Sequence, residues 1–188
     1  MPLPPAAPLR NPIHTRSVQF EGFERSDGLW DIEARISDVK PYDCELASGI
    51  RKAGEPIHQM HIRLTIDKAC TVVAAAVASD VVPYPGHCGQ ITPDYERRLV
   101  GLNLARGFRK QVAARFSGVA GCTHLTELLA QFPTAAIQTF AGFFNNDTDD
   151  AAGKPFQLDR CHALDTRGEA VRRYYPRWHA KAQSGSER

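Results

Sequence analysis

The sequence predicts an α+β fold: an antiparallel sheet of about four strands, covered on one face by about three helices, with a C-terminal hairpin-like segment. Three observations predict it. The first part of the chain alternates apolar and polar residues at period two between turn signals. The middle part switches to helical spacing, with Leu125, Leu128, Leu129, Phe132 and Ala136 on one face. Strands followed by helices, rather than alternating with them, place the helices together on one side of the sheet.

Residues 1–12 contain five prolines and read as an extended, mobile arm, since proline removes a donor and restricts φ. Val18 and Phe20 then lead to the turn Arg25-Ser-Asp-Gly28. After it Trp30, Ile32, Ala34 and Ile36 alternate with Asp31, Glu33, Arg35 and Ser37, which makes a hairpin with one buried face. Residues 38–54 read as irregular, with Pro41, Gly49 and Gly54 as breakers. A second hairpin places Met60, Ile62, Leu64 and Ile66 on one face and His61, Arg63 and Thr65 on the other. The run Thr71–Ser79 is too apolar to alternate cleanly, so it is expected as a central strand.

A breaker-dense loop over Val82–Gly89 hands over to a first helix, with Thr92 as cap and Pro93 at the first helical position. Gly101 interrupts that helix, and a second is expected over Ala105–Phe116. The third begins at about Cys122, with Thr123 as N-cap, and Pro133 should kink or end it. Residues 145–150 form a solvated acidic loop, and the last ordered stretch, Phe156–Trp178, turns at Asp165-Thr-Arg-Gly168. One domain over 13–179, with a frayed tail over 180–188, is the expected organisation.

Composition narrows the function. A net charge of +2 with 23% charged residues gives no basic stripe for nucleic acid. No apolar run approaches the ~20 residues of a membrane span. The N-terminus lacks the basic and apolar regions of a secretion signal. Five cysteines, an odd number, argue against a disulfide framework and for a reducing, cytoplasmic setting.

Chemistry is expected where Gly118-Val-Ala-Gly-Cys-Thr-His124 enters the third helix. Three cysteine–histidine pairs fall at loops or element ends: His87-Cys88, Cys122-Thr-His124 and Cys161-His162, with His58 as a further donor. Soft sulfur and imidazole donors are what zinc and iron take, so Cys88, Cys122, His124, His58, Cys161 and His162 are the candidate metal ligands. Alternatively, Cys122 is a nucleophile with His124 or His162 as base and Glu127 as an acid–base group, acting without metal on an acyl or aromatic small molecule. Arg97, Arg98, Arg106, Arg109, Lys110, Arg172 and Arg173 could bind an anionic substrate, or simply form solvated faces. A non-catalytic assembly or binding module is the third possibility. Cys44 and Cys70 read as small buried hydrophobes.

Several stretches, among them His14-Thr-Arg16, Asp27-Gly-Leu-Trp-Asp-Ile-Glu33, Gly54-Glu-Pro-Ile-His58, Gly121-Cys-Thr-His-Leu-Thr-Glu-Leu128 and Arg172-Arg-Tyr-Tyr-Pro176, resemble a bacterial family catalogued as a domain of unknown function, number 2889. That resemblance implies a family domain from His14 to Trp178 and names no activity. A second resemblance, in element order, is to the iron–sulfur cluster scaffold (NifU-like) fold. It implies cluster-ligand positions at Cys88 and Cys122, while the middle cysteine of that family has no counterpart between Ile91 and Gly121.

Overall fold

Strands β1 (Thr15–Glu24) and β2 (Trp30–Val39) form the expected first hairpin, paired without interruption from Thr15↔Val39 to Glu24↔Trp30. Its turn closes through Gly28, whose φ of +81° suits a residue without Cβ. In the computed structural model, which describes residues 2–6, 9–141, 154–155 and 157–180, the chain forms two compact units, Met1–Phe140 and Ala141–Arg188. This division falls inside the single span expected from composition.

The stretch expected to be irregular contains a small hairpin, β3 (Cys44–Leu46) with β4 (Gly49–Arg51), turning at Gly49 with φ +121°. Strands β5 (Pro56–Ile66) and β6 (Val72–Val81) complete an antiparallel sheet in the order β1-β2-β5-β6. The α+β prediction therefore holds. The position of β6 differs from expectation, because it is an edge strand and not a central one. Its failure to alternate comes from small residues at exposed positions, Ala74, Ala76 and Ala78, rather than from burial on both faces. Part of its free edge is covered. Gly101 N–H donates to Val72 O and Val72 N–H to Leu102 O, both at 2.8 Å, and Glu96 accepts from Val77 N–H at 3.0 Å.

Among the described residues of the first unit four helices cover the apolar face, where about three were expected. Helix α1 (Thr92–Leu99) starts one residue earlier than its capping threonine predicts, since the Thr92 hydroxyl donates back to Gly89 O. It buries Tyr95 and Leu99. Helix α2 (Phe108–Phe116) buries Phe108, Val112 and Phe116 at four-residue spacing. Helix α3 (Thr123–Leu129) has Cys122, not Thr123, at its N-cap position. Pro133 ends the predicted third helix by starting another: α4 (Phe132–Phe140) takes it into its first turn, where its missing N–H costs nothing.

The core between sheet and helices is continuous. Trp30, Ile32, Ala34 and Ile36 of β2 and Met60, Ile62, Leu64 and Ile66 of β5 are all at most 4% exposed, and face Tyr95, Phe116, Leu125 and Phe132 of the helices. Phe20 meets Phe132 edge-on at 5.2 Å and Trp30 meets Phe140 at 4.9 Å, which ties α4 to β1 and β2. At Gly22 the helix comes so close that a Cβ would sit 2.1 Å from Thr139 Oγ1.

Within the second unit the predicted C-terminal hairpin is not formed. The turn at Asp165–Gly168 is present, with Gly168 N–H donating to Asp165 O at 2.8 Å and Arg167 N–H to Asp165 Oδ1 at 2.9 Å. It joins a single 3₁₀ turn at His162–Leu164 to a short helix α5 (Glu169–Tyr174). Glu169 and Arg172 pair across one helical turn at 2.7 Å, a spacing that a strand cannot use. The acidic stretch 145–150 and the tail from 181 lie outside the described residues, and Pro2–Ala6 with Leu9–His14 have no regular structure and are exposed. Among the described residues no helix is long and apolar enough to cross a membrane.

Candidate metal centre

The apolar rows of the sheet end in a polar rung. On β2 the core-facing alternation Trp30, Ile32, Ala34, Ile36 continues one step further to Asp38, which is 3% exposed. In register beside it stand Arg16 on β1 and His58 on β5, each one step beyond the neighbouring apolar rows. The β2–β5 register shifts immediately after this rung, between Asp38 and Val39, so a bulge ends regular pairing at the site. His14, two residues before Arg16, lies just ahead of β1.

Helix α3 supplies the remaining groups. Its start is held by Tyr95, whose hydroxyl accepts from Cys122 N–H at 2.7 Å and lies 3.1 Å from Cys122 O and 2.7 Å from Thr126 Oγ1. Tyr95 is itself clamped by stacking on Phe116 at 4.1 Å, with Arg98 over the far ring. Gly121 is required where this turn meets α2, since a Cβ there would lie 2.2 Å from Phe116 O. With the helix so placed, His124 and Glu127, one turn apart, both reach the polar rung.

The two carboxylate oxygens of Asp38 are used differently. Oδ1 accepts from Arg16 Nε at 2.7 Å and lies 2.8 Å from His14 Nε2. Oδ2 accepts from Arg16 Nη2 at 2.9 Å and has His58 Nδ1 at 3.1 Å and His124 Nε2 at 3.6 Å. The His58 and His124 rings lie 3.8 Å apart, tilted by 31°. Glu127 Oε2 accepts from the remaining Arg16 nitrogen, Nη1, at 3.4 Å.

Protonation follows from this packing. Burial raises the Asp38 carboxyl, but the hydrogen bonds from Arg16 and His14 outweigh it and hold the group at about 2. Both His58 and His124 are pushed below the ordinary imidazole value. Burial is the main cause for each, reinforced at His58 by the His124 ring and at His124 by the Arg16 charge, against the pull of Asp38. At neutral pH the site is therefore one carboxylate and two uncharged imidazoles. Each donor has a lone pair to give, once each ring carries its proton on the opposite nitrogen.

Asp38, His58 and His124 offer ligand atoms that all lie within 4.8 Å of one another. Ligands at ~2.1 Å from a tetrahedral ion stand ~3.4 Å apart. The separations of 3.1 and 3.6 Å on Asp38 Oδ2 bracket that value. The donor set thus fits a three-ligand site with open positions.

Of the residues singled out in the sequence, the fold brings together His58, His124 and, through Arg16, Glu127. Among the described residues no cysteine belongs to a group of three or more possible ligands. Cys122 is half-buried at the N-cap of α3 and packs against the core. Cys88 opens a single 3₁₀ turn before α1. Cys161 and His162 are exposed in the second unit. All five thiols are free, and burial next to Asp67 raises that of Cys70. Four of the arginines considered for an anionic substrate have hydrogen-bonded protein partners. Arg97 pairs with Asp94 at 2.5 Å, Arg98 donates to Arg115 O and Arg109 to Ala130 O, both at 2.6 Å, and Arg172 pairs with Glu169. A groove of about 250 Å³ on the other face of the sheet, lined by Glu33, Arg35, His61 and Arg63 among others, contains none of the predicted site residues.

Sequence reasoning missed Asp38, Arg16 and His14. The signal was present: each apolar period-two row can be extended by one step, and each extension ends on an ionisable residue.

No curated protein and no solved structure matches the chain. The family model described as a protein of unknown function, DUF2889, matches residues 14–138, a span that begins at His14 and contains every residue of the rung and of the first turn of α3. The chain belongs to the DUF2889 family.

Proposed function

We propose that the chain holds a divalent transition-metal ion, zinc or iron, through Asp38 Oδ2, His58 and His124, and that the open coordination positions take a small-molecule ligand. The observation that carries this reading is a buried carboxylate beside two uncharged imidazoles at ligand-to-ligand distances. A metal in such a site would act as a Lewis acid or lower the pKa of a bound water. His14, 2.8 Å from Oδ1, holds the carboxylate in the orientation that directs Oδ2 at the two rings.

Elemental analysis of protein purified without an affinity tag, in aerobic and anaerobic preparations, tests the proposal together with Zn²⁺ and Co²⁺ titration. The expected result is one ion per chain, and affinity reduced by more than ~100-fold in His58→Ala and His124→Ala, beyond the loss usual for outer-shell partners. Cys88→Ser and Cys122→Ser should bind as the wild type does. Wild-type protein that takes up no Zn²⁺ or Co²⁺, or binding that survives loss of both histidines, overturns it.

A second reading rests on the Arg16 fork, which already satisfies both Asp38 oxygens. In it Asp38 orients His58 through Nδ1, and the opposite ring nitrogen works as a general base without metal. Zn²⁺ that leaves the ring resonances of His58 and His124 unmoved would favour this second reading.

A further inference from the structure

The Arg16 guanidinium stands between two carboxylates. Two of its nitrogens grip Asp38 at 2.7 and 2.9 Å, and the third reaches Glu127 at 3.4 Å. The grip on Asp38 fills a lone-pair direction of Oδ2, the oxygen that faces His58 and His124, and sets a fixed positive charge beside the position of a cation. A dication and this guanidinium therefore compete for one carboxylate.

We infer that ion binding moves Arg16 from Asp38 to Glu127, so that Glu127 is a positioning residue that sets metal affinity by accepting the displaced guanidinium. The inference rests on the metal reading above. Four features support it. Arg16 lies on β1, an edge strand, and its side chain is 36% exposed, so it can swing without repacking the core. Glu127 is 60% exposed, and among the described residues Arg16 is the side chain that hydrogen-bonds its carboxylate. His14 stays on Oδ1 at 2.8 Å, so departure of Arg16 does not leave that buried oxygen bare. Finally, the guanidinium presents five donors in a rigid fork and can form a two-point grip on Glu127 as it does on Asp38.

The exchange makes a prediction that a merely structural role for these residues does not. Removing the competitor should tighten the site, and removing the acceptor should loosen it. Co²⁺ and Zn²⁺ titration of the full chain should give roughly tenfold tighter binding for Arg16→Gln and roughly tenfold weaker binding for Glu127→Gln, the range of outer-shell effects. In the double variant the Glu127 effect should largely vanish, because there is no guanidinium left to accept. Thermal melts in chelator confirm that each variant is folded. The wild-type chain gives an independent readout: the Arg16 side-chain N–H resonances should move on addition of Zn²⁺, as their acceptor changes from Asp38 to Glu127. Weaker binding by Arg16→Gln, fully additive effects in the double variant, or an unmoved Arg16 resonance overturns the exchange while leaving the metal site standing. A wild-type chain that binds neither ion overturns both.

Discussion

Replacing Asp38 by asparagine keeps the shape of the side chain and removes its charge. The carboxyl lies at about 2 in the folded chain, against ~3.9 for an unperturbed aspartate, so its ionised form contributes about 2–3 kcal/mol to stability at neutral pH. A depressed carboxyl stabilises above its unfolded value, and the contribution is lost as pH falls through the folded one. The groups facing it are His14, Arg16, His58 and His124. The two buried imidazoles add a second feature, since both are held below their ordinary value and Asp38 opposes that shift. As pH drops below ~6.5 the unfolded chain takes up protons first, and the wild type loses stability more slowly than Asp38→Asn because its carboxylate favours the charged rings. The difference between the two proteins should therefore be about 2–3 kcal/mol at neutral pH, widen on mild acidification, and close between roughly pH 4 and pH 2. Urea unfolding in EDTA, followed by the fluorescence of buried Trp30 in a Trp178→Phe background, measures it. A loss of equal size at neutral pH and near pH 2 would refute the electrostatic argument and leave only altered packing.

Two further outcomes follow from the same geometry. Gly22→Ala should cost ~1–3 kcal/mol by overpacking, because its Cβ meets Thr139 Oγ1 at 2.1 Å. Adding Thr139→Ala should restore most of that loss, and strictly additive costs in the melts would contradict the contact. Tyr95→Phe should cost ~1–3 kcal/mol by leaving the Cys122 N–H without its acceptor. Because Tyr95 holds the start of the helix that carries His124, the variant should also bind Co²⁺ less tightly. Unchanged Co²⁺ affinity at reduced stability would show that His124 is positioned without it.

The layers of the fold were legible because each depends on local periodicity. A row such as Trp30, Ile32, Ala34, Ile36 can bury one face only as a strand, and Leu125, Leu128, Leu129 only as a helix. Pro133 likewise marked a helix boundary through a missing donor and a fixed φ. Short elements were harder. In Ala170–Tyr175 the apolar spacing suits either a strand or one and a half helical turns, and the Glu169–Arg172 pair decides for the helix. The alanines of β6 read as central-strand apolarity, although a methyl group is small enough to face water at little cost.

By itself the sequence determined an α+β domain of one-sided strands and amphipathic helices, and it marked His58, His124 and Glu127 as residues with chemistry to do. Only the tertiary structure decided their partner. Cysteine drew attention as a metal ligand, but a free thiol packs well as a small hydrophobe, and Cys122 does so at the N-cap of α3. The acceptor that gathers the imidazoles is instead Asp38, which sits far along the chain from both His58 and His124 and becomes their neighbour through strand register and helix placement. Burial then sets the chemistry open to the arrangement. An aspartate in water is an ordinary anion, whereas one held 3% exposed beneath Arg16 and beside two uncharged rings must be paired with a cation, and the fold determines which cations can reach it.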